Sequence, residues 1–255
     1  MSKRRKFLVS AAAVAGFFWL LQYVPLDYRA LMVGGLALFT YGAAALSLRE
    51  DLRGVEWLTL LILPVMYSLA AGFFYYLLPN HFLSRLVVSL VFLVGLYAIL
   101  LTENIYSVAA VRTIQLVRAA HAVGFLMTVL TTVLLFNVLY SFHWPVYVNG
   151  ITALIIGIPI YLQSLWAVKL EARLTRGLWG MSLALAWLLA HIAMALSLVP
   201  VTVWAASLFT GTVVYVVVGL LQQALQERLF ERTVWEYLGV GLIVLVATLL
   251  ITPWK

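Results

Sequence analysis

Apolar residues run along this chain in nine nearly unbroken stretches of 18 to 24 positions, 7–24, 28–48, 55–78, 82–101, 119–142, 146–168, 177–199, 201–221 and 234–251, separated by short polar breaks. Each is close to the roughly 20 residues that carry an α-helix across a hydrocarbon core at about 1.5 Å per residue. Hydrocarbon gives a free N–H or C=O no partner, so such stretches must be helices or the strands of a closed barrel. Barrel strands alternate apolar and polar positions, and these stretches do not. The pattern predicts an all-α fold: a polytopic integral membrane helical bundle of about nine transmembrane helices, with no soluble domain and residues 1–255 forming a single transmembrane domain.

The weakest joint in this reading is residues 197–202, where Pro200 separates two apolar stretches without any charged residue. Taken as one helix, residues 177–221 would extend about 67 Å, more than twice the thickness of a hydrocarbon core. The chain must turn at Pro200, in an external hairpin or a re-entrant pair. Pro64 and Pro159 fall well inside the third and sixth stretches, where each removes a backbone hydrogen bond and is expected to kink its helix. The pairs Ala12/Gly16, Ala120/Gly124, Ala153/Gly157, Ala186/Ala190 and Ser207/Gly211 have the small-xxx-small spacing that lets helices approach closely.

A Trp follows an Arg by three or four residues at Arg53/Trp57, Arg176/Trp179 and Arg232/Trp235, each time at the start of an apolar stretch. An internal duplication would produce such an echo. A cytoplasmic interface selects the same pairing without one, with Arg among the headgroups and the indole in the aromatic belt.

Composition agrees with the pattern. Hydrophobic residues make up 65% of the chain and charged ones 10%, against about 45–50% and about 25% in soluble proteins. The mean hydropathy is +1.08. If the N-terminus is cytoplasmic, Arg29, Arg85 and Lys255 are the three of 16 basic residues that fall outside, leaving thirteen inside. With loops this short, positive charge sets orientation, and the expected topology is N-terminus cytoplasmic and C-terminus extracytoplasmic, in a prokaryotic cytoplasmic membrane.

Lys3 to Lys6 followed by an apolar stretch resembles a secretory signal, but no small-x-small cleavage pattern precedes the polar break at 23–25. An uncleaved signal anchor is expected. The net charge of +7 lies in short clusters beside apolar stretches. That placement suits membrane lipids as partners, and a membrane protein partner, but not nucleic acid. With no cysteine, disulfides, thiolate metal sites and a cysteine nucleophile are excluded.

The densest polar segment runs from Thr102 to His121 and is the longest cytoplasmic connection on this reading. If it is helical, Arg112, Gln115, Arg118 and His121 follow one another at three-residue steps on one face. With Glu103 as a nearby countercharge, that stripe suits an anion or lipid headgroup; a solvated interfacial helix that only sets topology has the same composition. Asn137, Gln163 and His191 are uncommon polar residues at membrane depth, where each needs a partner, a bundle-facing position or water. On the outer side, Asp27, Arg29, His81, Arg85 and His143 lie at stretch ends; imidazoles and a carboxylate could ligate zinc or copper or relay protons, but none are at a metal-ligand spacing, and headgroup contacts are the expected role of His81 and His143.

Nothing in the chain matches a zincin cluster, a phosphate-binding loop, a serine nucleophile with a partnered base, or a retinal lysine deep in a span. No cofactor or metal is implied. Whether the chain is an enzyme stays open, and a non-catalytic role is favoured: handling or transport of a lipid-like or apolar small substrate, or a membrane subunit. The alternative is an intramembrane enzyme or proton-coupled transporter built on the buried polar residues of the fifth to seventh spans. The topology has a direct check. Alkaline phosphatase fused after Lys255 is expected to be active and a cytosol-only reporter silent; the reverse result removes or adds one span.

Overall fold

The computed structural model describes residues 3–50, 52–79, 81–110 and 115–254. Among the described residues the chain forms nine α-helices and no strand: α1 (Lys3–Leu20), α2 (Arg29–Leu48), α3 (Glu56–Tyr75), α4 (Phe82–Ala109), α5 (Val117–Ser141), α6 (Val146–Lys169), α7 (Arg176–Ser197), α8 (Val203–Leu225) and α9 (Glu231–Ile251). All nine are long and apolar enough to cross a membrane. The fold is an all-α helical bundle.

Most helix bounds lie within a turn of the apolar stretches. The main exception is α4, which continues eight residues past the end of its apolar stretch, to Ala109. Thr102, Glu103 and Ser107 lower the hydropathy there, but all three are buried inside the fold and do not end the helix. The connection between α4 and α5 is therefore much shorter than the polar segment suggested. At Pro200 the chain turns between two separate helices of 22 and 23 residues. Thr175 and Thr202 open α7 and α8, each hydroxyl accepting a backbone N–H three residues on. Helices α3 and α6 continue through Pro64 and Pro159.

The chain divides into two compact units, residues 1–127 with 170–173 and residues 128–169 with 174–255, the boundary falling within α5. In the first unit an aromatic stack joins three helices. Phe18 of α1 lies 4.2 Å from Phe92 of α4 and 4.5 Å from Tyr75 of α3, centroid to centroid. Tyr67 continues the stack at 5.4 Å from Phe92. Such pairs add about 0.5–1.5 kcal/mol each beyond simple burial. Lys6 Nζ donates to Glu50 Oε1 at 2.6 Å, tying the start of α1 to the α2–α3 connection. This partner holds the exposed Glu50 carboxyl below its ordinary value. The contact therefore persists above that value and is lost as pH falls through the lowered one.

In the second unit α6 and α7 pack through small residues. A Cβ on Gly157 would stand 3.0 Å from Ala186 Cβ and 3.1 Å from Ala186 Cα. Ala153, Ala186 and Ala190 are buried beside it. The spacing pairs at Gly124 and Gly211 are also close approaches, to Tyr106 and Val133, whereas Gly16 faces open space.

Gly157 therefore makes a sharp test of this packing. Gly157→Leu is expected to lower stability by about 1–3 kcal/mol through overpacking against the α7 backbone. Gly180→Leu, at an exposed site in α7 with nothing within 4 Å of the added Cβ, is expected to leave it nearly unchanged. Thermal unfolding of detergent-purified protein measures both.

Candidate functional site

Polar groups meet in the first unit where α3 begins and α4 ends. Gly54, at φ +50° in the α2–α3 connection, takes a left-handed turn that suits glycine. Glu56 follows as the first residue of α3 and is only 7% exposed. Its Oε2 accepts the Arg53 backbone N–H at 3.1 Å, satisfying a donor in the turn just ahead of the helix. The same oxygen accepts the Ser107 hydroxyl of α4 at 3.0 Å. One turn earlier on α4 lies Glu103, which is fully buried. Glu56 of α3 and Glu103 of α4 are thus two buried carboxylates among the described residues of the unit, and Ser107, four residues beyond Glu103, donates to Glu56.

Tyr106 lies beside this group and donates its hydroxyl to the carbonyl of Ala120 at 3.0 Å. Its ring packs 5.5 Å from that of His121, and a side chain at Gly124 would collide with its hydroxyl. Glu103 and His121 therefore approach the same tyrosine, one from α4 and one from α5. Arg118 is exposed in the first turn of α5. Gln115 is exposed in a turn before the helix, so helical three-residue spacing holds only from Val117 onward. Arg112 lies outside the described residues.

The deeper polar residues do not gather in one place. Asn137 donates to Ser207 Oγ at 3.3 Å. Gln163 is buried within α6. His191 is exposed, its ring beside Trp187 at 5.1 Å and its Nδ1 2.8 Å from the Trp187 carbonyl oxygen one turn back on α7. This local bond to its own helix lets the histidine sit on an outer face without a partner from another helix.

Among the described residues no group of three His, Asp or Glu side chains could hold a metal. On the other side of the first unit, the Arg29 guanidinium lies 4.5 Å above the Tyr76 ring and the Arg85 guanidinium 4.7 Å above Tyr23. Arg29 and Arg85 thus pack on aromatic faces.

The second unit also carries an apolar groove of about 460 Å³ between α8 and α9, bounded by Phe209, Val213, Val216, Trp235, Leu238 and Leu242. Gly239 and Gly241 are among its lining residues. A Cβ on Gly241 would stand 3.2 Å from Val216, and Gly239 has open space where a side chain would stand. Within α9 only Thr248 is buried.

Residues 6–251 match the family described as Protein of unknown function (DUF5656). The chain belongs to the DUF5656 family. No curated protein and no solved structure matches it.

Sequence reading missed Glu56 in this DUF5656 chain, although an acidic residue at the start of an apolar stretch is a helix-start signal. It also missed the groove, because its lining residues are ordinary aliphatic and aromatic ones. The Glu56 contacts generate a test. Glu56→Ala removes the acceptor for both Arg53 N–H and the Ser107 hydroxyl and is expected to cost about 1–3 kcal/mol. Glu56→Gln keeps an acceptor oxygen and is expected to cost less. Thermal unfolding of both variants, alone and with Ser107→Ala, should show non-additive losses for the alanine pair.

Proposed function

We propose that this protein is a non-catalytic multi-pass membrane protein, with its N-terminus cytoplasmic and its C-terminus outside, that handles or moves a lipid-like or apolar small molecule. The α8–α9 groove carries this reading. Its volume of about 460 Å³ lies in the range of roughly 300–1,000 Å³ common to small-molecule sites. Its walls are almost entirely apolar, and its outer helix α9 is nearly bare, which suits a ligand entering sideways from the bilayer. The dispersal of Asn137, Gln163 and His191 favours the same class, because catalysis needs polar groups converging on one cavity. At the cytoplasmic face Gln115 and Arg118, with Arg112, are proposed to contact anionic headgroups, with Glu103 and His121 at the membrane edge of that contact.

Proton-coupled transport is the second reading. It is favoured by Glu56 and Glu103, since ionisable groups buried inside a membrane protein commonly mark proton or ion paths.

Filling the groove tests the first reading. Gly239→Trp enters open space and is expected to reduce the apolar molecule retained by detergent-purified protein about fivefold, equivalent to ~1 kcal/mol. Mass spectrometry of extracted lipid reads the result. A protein partner in stoichiometric amount, with no retained apolar molecule in the unmodified chain, would replace the reading with a subunit role.

A further inference from the structure

A second cavity in the same unit, of about 260 Å³, lies where α5 and α7 end and α6 and α8 begin. Its polar lining comes from Tyr140, His143, Asn149 and Ser197, with Trp144 at the α5–α6 connection. It shares no lining residue with the α8–α9 groove. By the charge rule these helix ends face the extracytoplasmic side.

Asn149, 3% exposed in the first turn of α6, uses its amide group on the Trp144 carbonyl at 3.3 Å and on Ser197 Oγ at 2.9 Å. A carbonyl only accepts, so the amide nitrogen must face it and the assignment of Oδ1 follows. Asn149 Oδ1 is buried and has no hydrogen-bond partner. The Ser197 hydroxyl donates to the Ala193 carbonyl at 2.7 Å. The Thr210 hydroxyl donates to the Ala206 carbonyl at 2.8 Å, so in the 3.0 Å contact between Tyr140 and Thr210 the tyrosine must be the donor. His143 Nδ1 lies 2.9 Å from the Ser141 carbonyl and must donate to it. In the neutral ring Nε2 is then an acceptor.

Apart from the Trp144 indole N–H, every polar hydrogen on these side chains is already engaged. What remains is acceptor capacity: Asn149 Oδ1, Tyr140 Oη and His143 Nε2. A buried acceptor without a donor costs about 1–3 kcal/mol, so a ligand bringing donors gains from filling this pocket.

We infer that this pocket binds a protonated primary amine, as presented by an aminoalcohol lipid headgroup or by a free small amine. An ammonium has three donors and no acceptor, which complements a lining of unused acceptors. The aromatic rings of Tyr140 and Trp144 add a surface favourable to a cation. An anion would find the opposite of what it needs. A quaternary ammonium could use the rings but has no N–H for Asn149.

The test uses the full chain in nanodiscs containing equal amounts of phosphatidylethanolamine and phosphatidylcholine, with bound lipid counted by native mass spectrometry. The unmodified chain is expected to retain the ethanolamine lipid about tenfold over the choline lipid, the equivalent of about 1.4 kcal/mol. Asn149→Leu is expected to abolish that preference. His143→Gly, at a position with φ +49° that glycine adopts without strain, is expected to weaken it severalfold. This second variant keeps the test decisive if Asn149→Leu does not fold.

Free ethanolamine distinguishes the two sources. Specific binding of ethanolamine alone, lost in His143→Gly, with no lipid preference, assigns the pocket to a soluble amine. Equal retention of both lipids together with no binding of ethanolamine overturns the inference and leaves a pocket filled by water. A lipid preference that survives both substitutions overturns it as well, since the selectivity then arises elsewhere. Gly239→Trp leaves this pocket intact, so failure of the groove reading does not affect the outcome.

Discussion

The absence of hydrogen-bond partners in hydrocarbon governs this molecule. It forces the backbone into helices that satisfy themselves, and it acts on the side chains in the same way. Thr40, Thr102, Thr132, Ser164, Ser197 and Thr210 each donate their hydroxyl to the carbonyl one turn back on their own helix. Such bonds make a polar residue tolerable at depth without a neighbouring helix. They also leave its oxygen able only to accept. The acceptor-rich pocket at the ends of α5 to α8 is a local result of that general rule.

The same constraint makes the buried carboxylates of the first unit informative. Glu56 is satisfied from two sides, by its own helix start and by Ser107 of α4. A carboxylate in this position organises the meeting of two helices, and a buried polar network holds a unique arrangement only when its members are satisfied. Where helices carry no polar cluster, contact rests on shape: Gly157 against Ala186, and Gly219 against the Tyr237 ring. In lipid, such close approach supplies dispersion contacts that the hydrophobic effect does not.

The outer faces divide in a similar way. Helix α9 buries only Thr248 and packs on α8 around a groove, while His191 on α7 looks outward and bonds to its own helix. A histidine inside an apolar stretch would be expected to turn inward. The physical reason that it does not is the Trp187 carbonyl, which is always within reach four residues earlier on an α-helix.

Helix number, helix type and the turn at Pro200 were legible in the sequence because they follow from local rules: segment length, continuous apolarity and the span of an α-helix. Glu103 and His121 could be singled out as polar residues near a membrane edge, and the contact of each with the surroundings of Tyr106 needed the fold. The end of α4 was misjudged because hydropathy falls wherever a polar residue occurs, whether it faces water or, like Thr102, Glu103 and Ser107, the interior. Nothing in the order of residues set Asn149 and Glu56 apart. Which of their atoms found partners depended on Ser197 and Ser107, 48 and 51 residues away in the chain. Amino-acid order by itself determined that this chain is a set of apolar helices, since each helix satisfies its own backbone. Only tertiary structure decided which helix faces meet, because that choice depends on the fit of side chains brought together from distant parts of the chain.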